Sequence, residues 1–316
     1  VTGNIEIGLR VPPCVSLRAL QDFAVRADRA GVGALWFPDS QLLWRDTYLA
    51  LAVAALATSQ TQLGTAVSNV TTRHPSVIAS AVRTVQEVAP HRVRLGLGTG
   101  SSATGTVGLT ATTGAGLEEA VGAVRELMNG SRLTDSQGTC PIYIATAGPR
   151  MLTRTARVAD GVILPPGLTD DQIDRALETV RPAGLDIVLS MYAWVTSDVP
   201  RQARLIKPLL AARGSPPSGT SLPDLYPDLP HARDWEAAVE ACSWISDEQA
   251  LSFVQRHCLF GSPEDILHGL MERHRQFGVS KFLLHGLMSY ELPDRLLEVV
   301  AAQQRADVNG GAARNG

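Results

Sequence analysis

Glycines and hydroxyls crowd one short stretch, residues 94–102, which reads RLGLGTGSS and is followed by Thr104. An apolar run ending in Gly96, Gly98 and Gly100 lets backbone N–H groups approach a ligand. Thr99, Ser101 and Thr104 add hydroxyls suited to phosphate or polyol oxygens. The spacing is G-x-G-x-G in mid-chain, and no acidic residue follows at the distance a dinucleotide fingerprint requires, so a Rossmann reading is weak. The alternative is a plain flexible turn. A second stretch, IYIATAGPRM (142–151), places Ala147 and Gly148 before Pro149 at a first helical position, with Arg150 beside it. Backbone amides at the positive end of a helix dipole, with a cation added, make a ready phosphate site. Here the alternative is a tight turn with a solvated Arg150. Arg10 closes the first apolar run, and period-two alternation puts it on the same face as Gly8. Facing inward, it would hold an anionic group or developing negative charge. No nucleophile–base pair, paired carboxylates or Schiff-base lysine accompanies these residues. The set suits a site where a bound cofactor supplies the chemistry and the protein positions it.

The composition is that of an ordinary globular protein: 316 residues, 45% hydrophobic and 19% charged. A net charge of −3 gives no footprint for nucleic acid, and no apolar run is long enough to span a bilayer. The opening VTGNIEIGLR lacks a basic-then-apolar export signal, so the cytoplasm is the expected compartment. Cys14, Cys140, Cys242 and Cys258 are scattered, which predicts reduced thiols rather than disulfides or a zinc site, and no metal is expected.

The elements that must position these residues alternate evenly. Strand-like runs at 5–11, 34–37, 61–67, 92–98, 141–146, 161–165, 185–195 and 280–286 are separated by helical patterns, for example at 16–31, 47–59, 76–88 and 117–128. Ser16, Asp46 and His74 stand where helix caps belong. Eight strand–helix repeats without a dividing linker predict an α/β fold, a (β/α)8 TIM barrel, although a doubly wound sheet uses the same elements. Residues 1–305 are expected to form one barrel domain with an irregular insertion at about 213–256 before the last strand. Residues 306–316 are expected to be a disordered tail. In such a barrel the strand ends meet at one mouth. They bring together Arg10, Asp39-Ser40, Val67-Ser68, Thr99–Ser102, Thr146–Gly148 and His285.

Several of these stretches together resemble the luciferase-like flavin and deazaflavin barrel family. The likeness rests on ALWFPDSQ (34–41), LGTAVSNVTTRHPSVIAS (63–80), HRVRLGLGTG (91–100), IYIATAGPRMLTRTARVADGVIL (142–164), LFGSPEDI (259–266) and FGVSKFLL (277–284). Within the family the chain is most similar to methylene-tetrahydromethanopterin reductases that use the deazaflavin coenzyme F420. The resemblance implies a cis peptide at Ala66–Val67, bulging behind the cofactor ring, with Asp39 and Ser40 at the ring edge. It also implies Thr99, Gly100, Ser101 and Thr104 near the ribityl and phosphate chain, with Ala147, Gly148, Pro149 and Arg150 at the phosphate. Arg10, Asp39, Ser40 and Ser101 are the candidates for chemistry.

The chain departs from its relatives at telling positions. Some deazaflavin dehydrogenases of this family carry a proton-transferring histidine where Ser40 stands, which puts sugar-phosphate dehydrogenation in doubt. The methylenetetrahydropterin reductases carry acids where this chain has Arg10 and Ser101, so a folate-like substrate is in doubt too. The expected function is hydride transfer between deazaflavin C5 and an unsaturated carbon or iminium of a small molecule. An FMN monooxygenase served by a separate flavin reductase, and a non-catalytic binding barrel, are the alternatives. A homodimer is expected from the family.

Overall fold

Every strand of this chain runs parallel to its neighbours, and the sheet closes on itself. The computed structural model describes residues 5–105, 107–130, 139–213 and 229–312. Its strands are β1 (Glu6–Arg10), β2 (Ala34–Phe37), β3 (Gln62–Thr65), β4 (Ser68–Asn69), β5 (Val93–Gly98), β6 (Ile142–Ala145), β7 (Gly161–Leu164), β8 (Asp186–Val195), β9 (Cys258–Gly261) and β10 (Lys281–His285). They pair in the order β10-β1-β2-β3-β5-β6-β7-β8, and β10 pairs again with β8, so the expected (β/α)8 barrel is what forms. The doubly wound alternative, an open sheet, is excluded by that closure. The short β4 extends the β3 edge against β5, and β9 lies outside the barrel on the upper half of the long β8.

Helices cover the outside because their apolar faces match the outward faces of the strands. Phe23, Leu51, Ile78, Val82, Val121, Leu177 and Leu270, from successive helices, share one core with outward strand residues such as Leu9, Leu35, Leu95 and Val162. The expected caps hold: Ser16 accepts from Ala19 N, Asp46 from Tyr48 N and Leu49 N, and the His74 ring from Ser76 N. Each supplies an acceptor to a first-turn amide that has no helical partner.

Inside the barrel the side chains fall into layers. At the base, Arg94 pairs through two nitrogens with Glu6, while Asp186 accepts from both Tyr143 and Lys281. Above lies an apolar layer of Ala34, Trp36, Ile163, Val188 and Leu283. Trp36 fills the centre, and it fits only because its neighbours lack side chains. A Cβ on Gly64 would meet the Trp36 ring at 2.6 Å and the Arg94 carbonyl at 2.8 Å.

One expectation is corrected. The chain from Leu297 is helical to Ala312, so residues 306–312 are not a disordered tail, while 313–316 lie outside the described residues. This helix is anchored by buried Val299 and Val300 and by Gln303 and Gln304, which donate to the carbonyls of Ile5 and Ala30 (both 2.8 Å). Once a helix is anchored, each added residue gains a bond at low cost. The expected insertion at 213–256 lies partly outside the described residues. Its described part holds helices Trp235–Ala241 and Asp247–His257, and β9 follows directly.

Candidate active site

At the C-terminal ends of the strands lies a cleft of about 260 Å³. Arg10 enters it from β1, Asp39 and Ser40 from the end of β2, and Ala66 and Val67 from the end of β3. Thr99, Gly100 and Ser101 enter from the end of β5. Eight residues expected to act together from sequence therefore share one cavity. The Ala66–Val67 peptide is cis, as the family likeness implied. Its two side chains pack with Ala145 on the apolar layer below. Gly98 makes room for them, since a Cβ there would lie 2.6 Å from Val67 Cγ2. One side of the mouth is thus floored by small side chains, a surface on which a flat ring can lie.

The acid at the end of β2 is not free. Asp39 accepts from Arg73 Nε (2.7 Å) and Nη2 (3.0 Å) and from Ser68 Oγ (2.6 Å). Arg73 also reaches Asp46 (2.7 Å) and lies over the Tyr48 ring at 5.0 Å. Burial alone would lower the Arg73 pKa, but its bonds to Asp39 and Asp46 outweigh this and raise it. A carboxylate with both oxygens committed to a bidentate arginine is held firmly in one orientation. Beside it, the hydroxyls of Ser40 and Ser102 lie 3.3 Å apart, and Gln41 Nε2 donates to Ala103 O (2.6 Å), so the loops after β2 and β5 are tied together.

The opposite side of the mouth is polar and aromatic. Arg10 lies 5.0 Å from the centroid of the Trp44 ring, and its pKa is pulled down to about 10 by burial. Trp44 in turn meets His231 edge-on at 5.4 Å and donates to Ser289 O (2.7 Å). His285 ends β10 with its Nε2 buried and unpartnered, and burial, reinforced by Arg10, holds its pKa well below the ordinary histidine value.

Some expected residues stand apart from the cleft. Thr104 is 1% exposed, and its Oγ1 donates to the Gly100 carbonyl (2.9 Å). It therefore closes the helical turn Ser101–Gly105 and is not among the residues that line the cleft, where it was expected. Ala147, Gly148, Pro149 and Arg150 lie just beyond Ala145, at the start of helix Pro149–Val158, where Gly148 gives no side-chain cap and Arg150 is exposed. Sequence reasoning left Ala145 and His231 out of the site and read Gly98 only as part of the glycine run, not as the gap that admits Val67. Gly98 and Ala145 follow from inward alternation on β5 and β6, while His231 carries no local signal. A second, mostly apolar cleft of about 370 Å³ lies between β8 and the chain after β10, lined by Trp194, Leu287 and Leu296 among others. It holds none of the expected residues.

Comparison with known proteins gives consistent matches. The family model described as luciferase-like monooxygenase matches residues 5–281. A 5,10-methylenetetrahydromethanopterin reductase of Archaeoglobus fulgidus is 26% identical over 306 residues, covering 85% of this chain and 90% of the relative. An F420-dependent glucose-6-phosphate dehydrogenase of Kineococcus radiotolerans is 33% identical over 192 residues, covering 52% of this chain and 56% of the relative. The share of such relatives that the chain spans thus runs from about half to 90%. In fold, the chain superposes on the coenzyme F420-dependent tetrahydromethanopterin reductase of Methanopyrus kandleri with a TM-score of 0.72, at 17% identity over 95% of this chain and 98% of that one.

Proposed function

The chain belongs to the luciferase-like monooxygenase family, and we propose that it is a coenzyme F420-dependent oxidoreductase, working as a reductase on a small organic molecule. The observation that carries this reading is the floor of Ala66, Val67, Gly98 and Ala145, whose small side chains leave room for a flat ring at the barrel mouth. When bound, the deazaflavin supplies the hydride exchanged with an unsaturated carbon or iminium.

The chain's own residues bind and orient. Thr99, Gly100 and Ser101 offer amides and hydroxyls to the ribityl chain, and Gly148 with Arg150 offers a helix N-terminus and a cation to the phosphate. Asp39, locked by Arg73, holds the loop after β2 at the ring edge and acts as a positioning residue. Ser40, tied to Ser102, stands where a proton-transferring side chain would be needed for dehydrogenation of a sugar, which supports a reductase. Titration of the purified protein with oxidised F420 and with FMN, followed by fluorescence, tests the reading. Micromolar F420 binding is the expected result. Binding of FMN alone would replace it with an FMN monooxygenase, which the family's description also covers, and binding of neither would favour a non-catalytic barrel.

Three finer points belong to the same proposal. The barrel and its last helix, which runs to Ala312, act as one domain. The chain works as a homodimer through helix Thr47–Ala57, whose sequence TYLALAVAALA is apolar all round although Leu49 and Leu56 are 62% and 70% exposed. A helix apolar on every side is normally covered. Four free cysteines, three of them buried, fit a reducing compartment such as the cytoplasm. Among the described residues no helix is long and apolar enough to cross a membrane.

A further inference from the structure

The inward residues of three adjacent strands form a row across the polar side of the mouth. The register that pairs Leu9 with Leu284 sets Arg10 beside His285, and His285 is paired in turn with Tyr192 on β8. The His285 and Tyr192 rings meet edge-on at 6.1 Å. Arg10 lines the cleft and lies against Trp44. Among the described residues no carboxylate pairs with it, although Arg26, Arg73, Arg94, Arg125, Arg154, Arg204 and Arg273 all have one. The groups around it are Cys14, Tyr192 and His285, none of them anionic at neutral pH. Arg10 is half-buried, and a guanidinium partly withdrawn from water without a counter-charge carries a cost that an arriving anion offsets. Stacking on Trp44 fixes the planar fork without using any of its N–H donors. The buried Nε2 of His285 is a second polar atom without a partner in the same row.

We propose that Arg10, with His285 beside it, is the recognition site for a carboxylate on the substrate, so that the reductase acts on an unsaturated carboxylic acid. This rests on the F420 reading in taking the bound anion to be the hydride acceptor. The small-residue floor carries the cofactor ring, and Arg10 faces it across the mouth, with His285 and Tyr192 next to it along the row. A carboxylate held bidentately by Arg10 fixes the position of the carbon chain over the ring. His285, neutral, contributes a hydrogen bond to the same group.

The test uses the whole protein, with and without F420. Acrylate, crotonate, fumarate and cinnamate are titrated against their amides by calorimetry and by quenching of tryptophan emission. One or more carboxylates should bind at least about tenfold more tightly than the matching amide, as expected of a charge-assisted pair. Arg10→Met should erase that preference while leaving the F420 dissociation constant within about twofold, and Arg10→Lys should keep part of it. His285→Phe should weaken carboxylate binding less than Arg10→Met. Equal binding of acid and amide by the wild-type protein, or no binding of any acid, would overturn the proposal without needing a variant. Loss of F420 binding in Arg10→Met with the acid preference intact would overturn it too, making Arg10 a cofactor residue. A wild-type protein that prefers the acids but binds no F420 would support the anion site and sink the F420 reading instead.

Discussion

Gly98 shows how little room the cleft floor leaves, because any Cβ there would collide with Val67. Gly98→Ala should force Val67 off its place, costing about 1–3 kcal/mol of stability by overpacking and weakening F420 binding more than it lowers the melting temperature. Unchanged cofactor affinity would show that the floor does not touch the ring. Asp28 carries a different kind of constraint. Its two oxygens accept from the amides of Ser59, Gln60 and Thr61 and from the hydroxyls of Ser59 and Thr61, at 2.8–3.1 Å. Burial opposes its charge, but these bonds win and hold its pKa far below the usual carboxylate range. Asp28→Asn should cost ~1–2 kcal/mol at pH 7, discounted for partial exposure. A depressed folded-state pKa stabilises fully above the unfolded value of about 4, and that contribution fades as pH falls below it. Denaturant melts of both proteins at pH 7 and near pH 3 should therefore show the gap narrowing in acid, and a constant gap would refute the assignment. At this scale the sequence was partly legible. Arg10, Ser40 and Ser101 were placed by strand alternation and family likeness. Thr104 was misread because a hydroxyl's direction depends on the turn it closes, and the commitment of Asp39 to Arg73 spans 34 residues that no local pattern connects.

The loop after β2 is an element held from several sides. Asp46 caps the helix that begins at Thr47 and at the same time receives Arg73, the residue that fixes Asp39. Asp46→Ala should lose the cap, about 1 kcal/mol, and also free one arm of Arg73. Its signature is then a rise in the F420 dissociation constant alongside the drop in stability, measured by titration and thermal melting. A stability loss with unchanged affinity would mean that Arg73 needs only Asp39. The barrel strands and most helices were legible because their periodicities of two and 3.6 are strong and their caps are local. What escaped was long-range. β9 exists because β8 overshoots the barrel and offers Tyr192–Val195 as a further edge. The last helix continues to Ala312 because Gln303 and Gln304 reach back to the carbonyls of Ile5 and Ala30.

For the molecule as a whole, the exposed apolar ridge of Leu49 and Leu56, with Val77 at 51% exposure on the neighbouring helix, sets the expected assembly. On the proposed homodimer, the wild-type protein should sediment as a dimer and the double variant Leu49→Glu/Leu56→Glu as a monomer, with its barrel still folded by circular dichroism. Dimers persisting in that variant would move the interface elsewhere. The charged base of the barrel carries a separate consequence. Glu6 and Arg94 both belong to β1–β5, whereas Tyr143, Asp186 and Lys281 all belong to β6–β10. Each half of the barrel therefore hydrogen-bonds its own base charges, while Arg94 and Asp186 also attract each other across the two halves. A chain severed after Gly130 should reassemble when its two pieces are expressed together, since strand edges, apolar surface and ion pairs such as Arg26–Asp294 and Arg154–Glu118 all join them while the base charges are paired within each piece. Pieces that never co-purify would show that these contacts need a continuous chain to form.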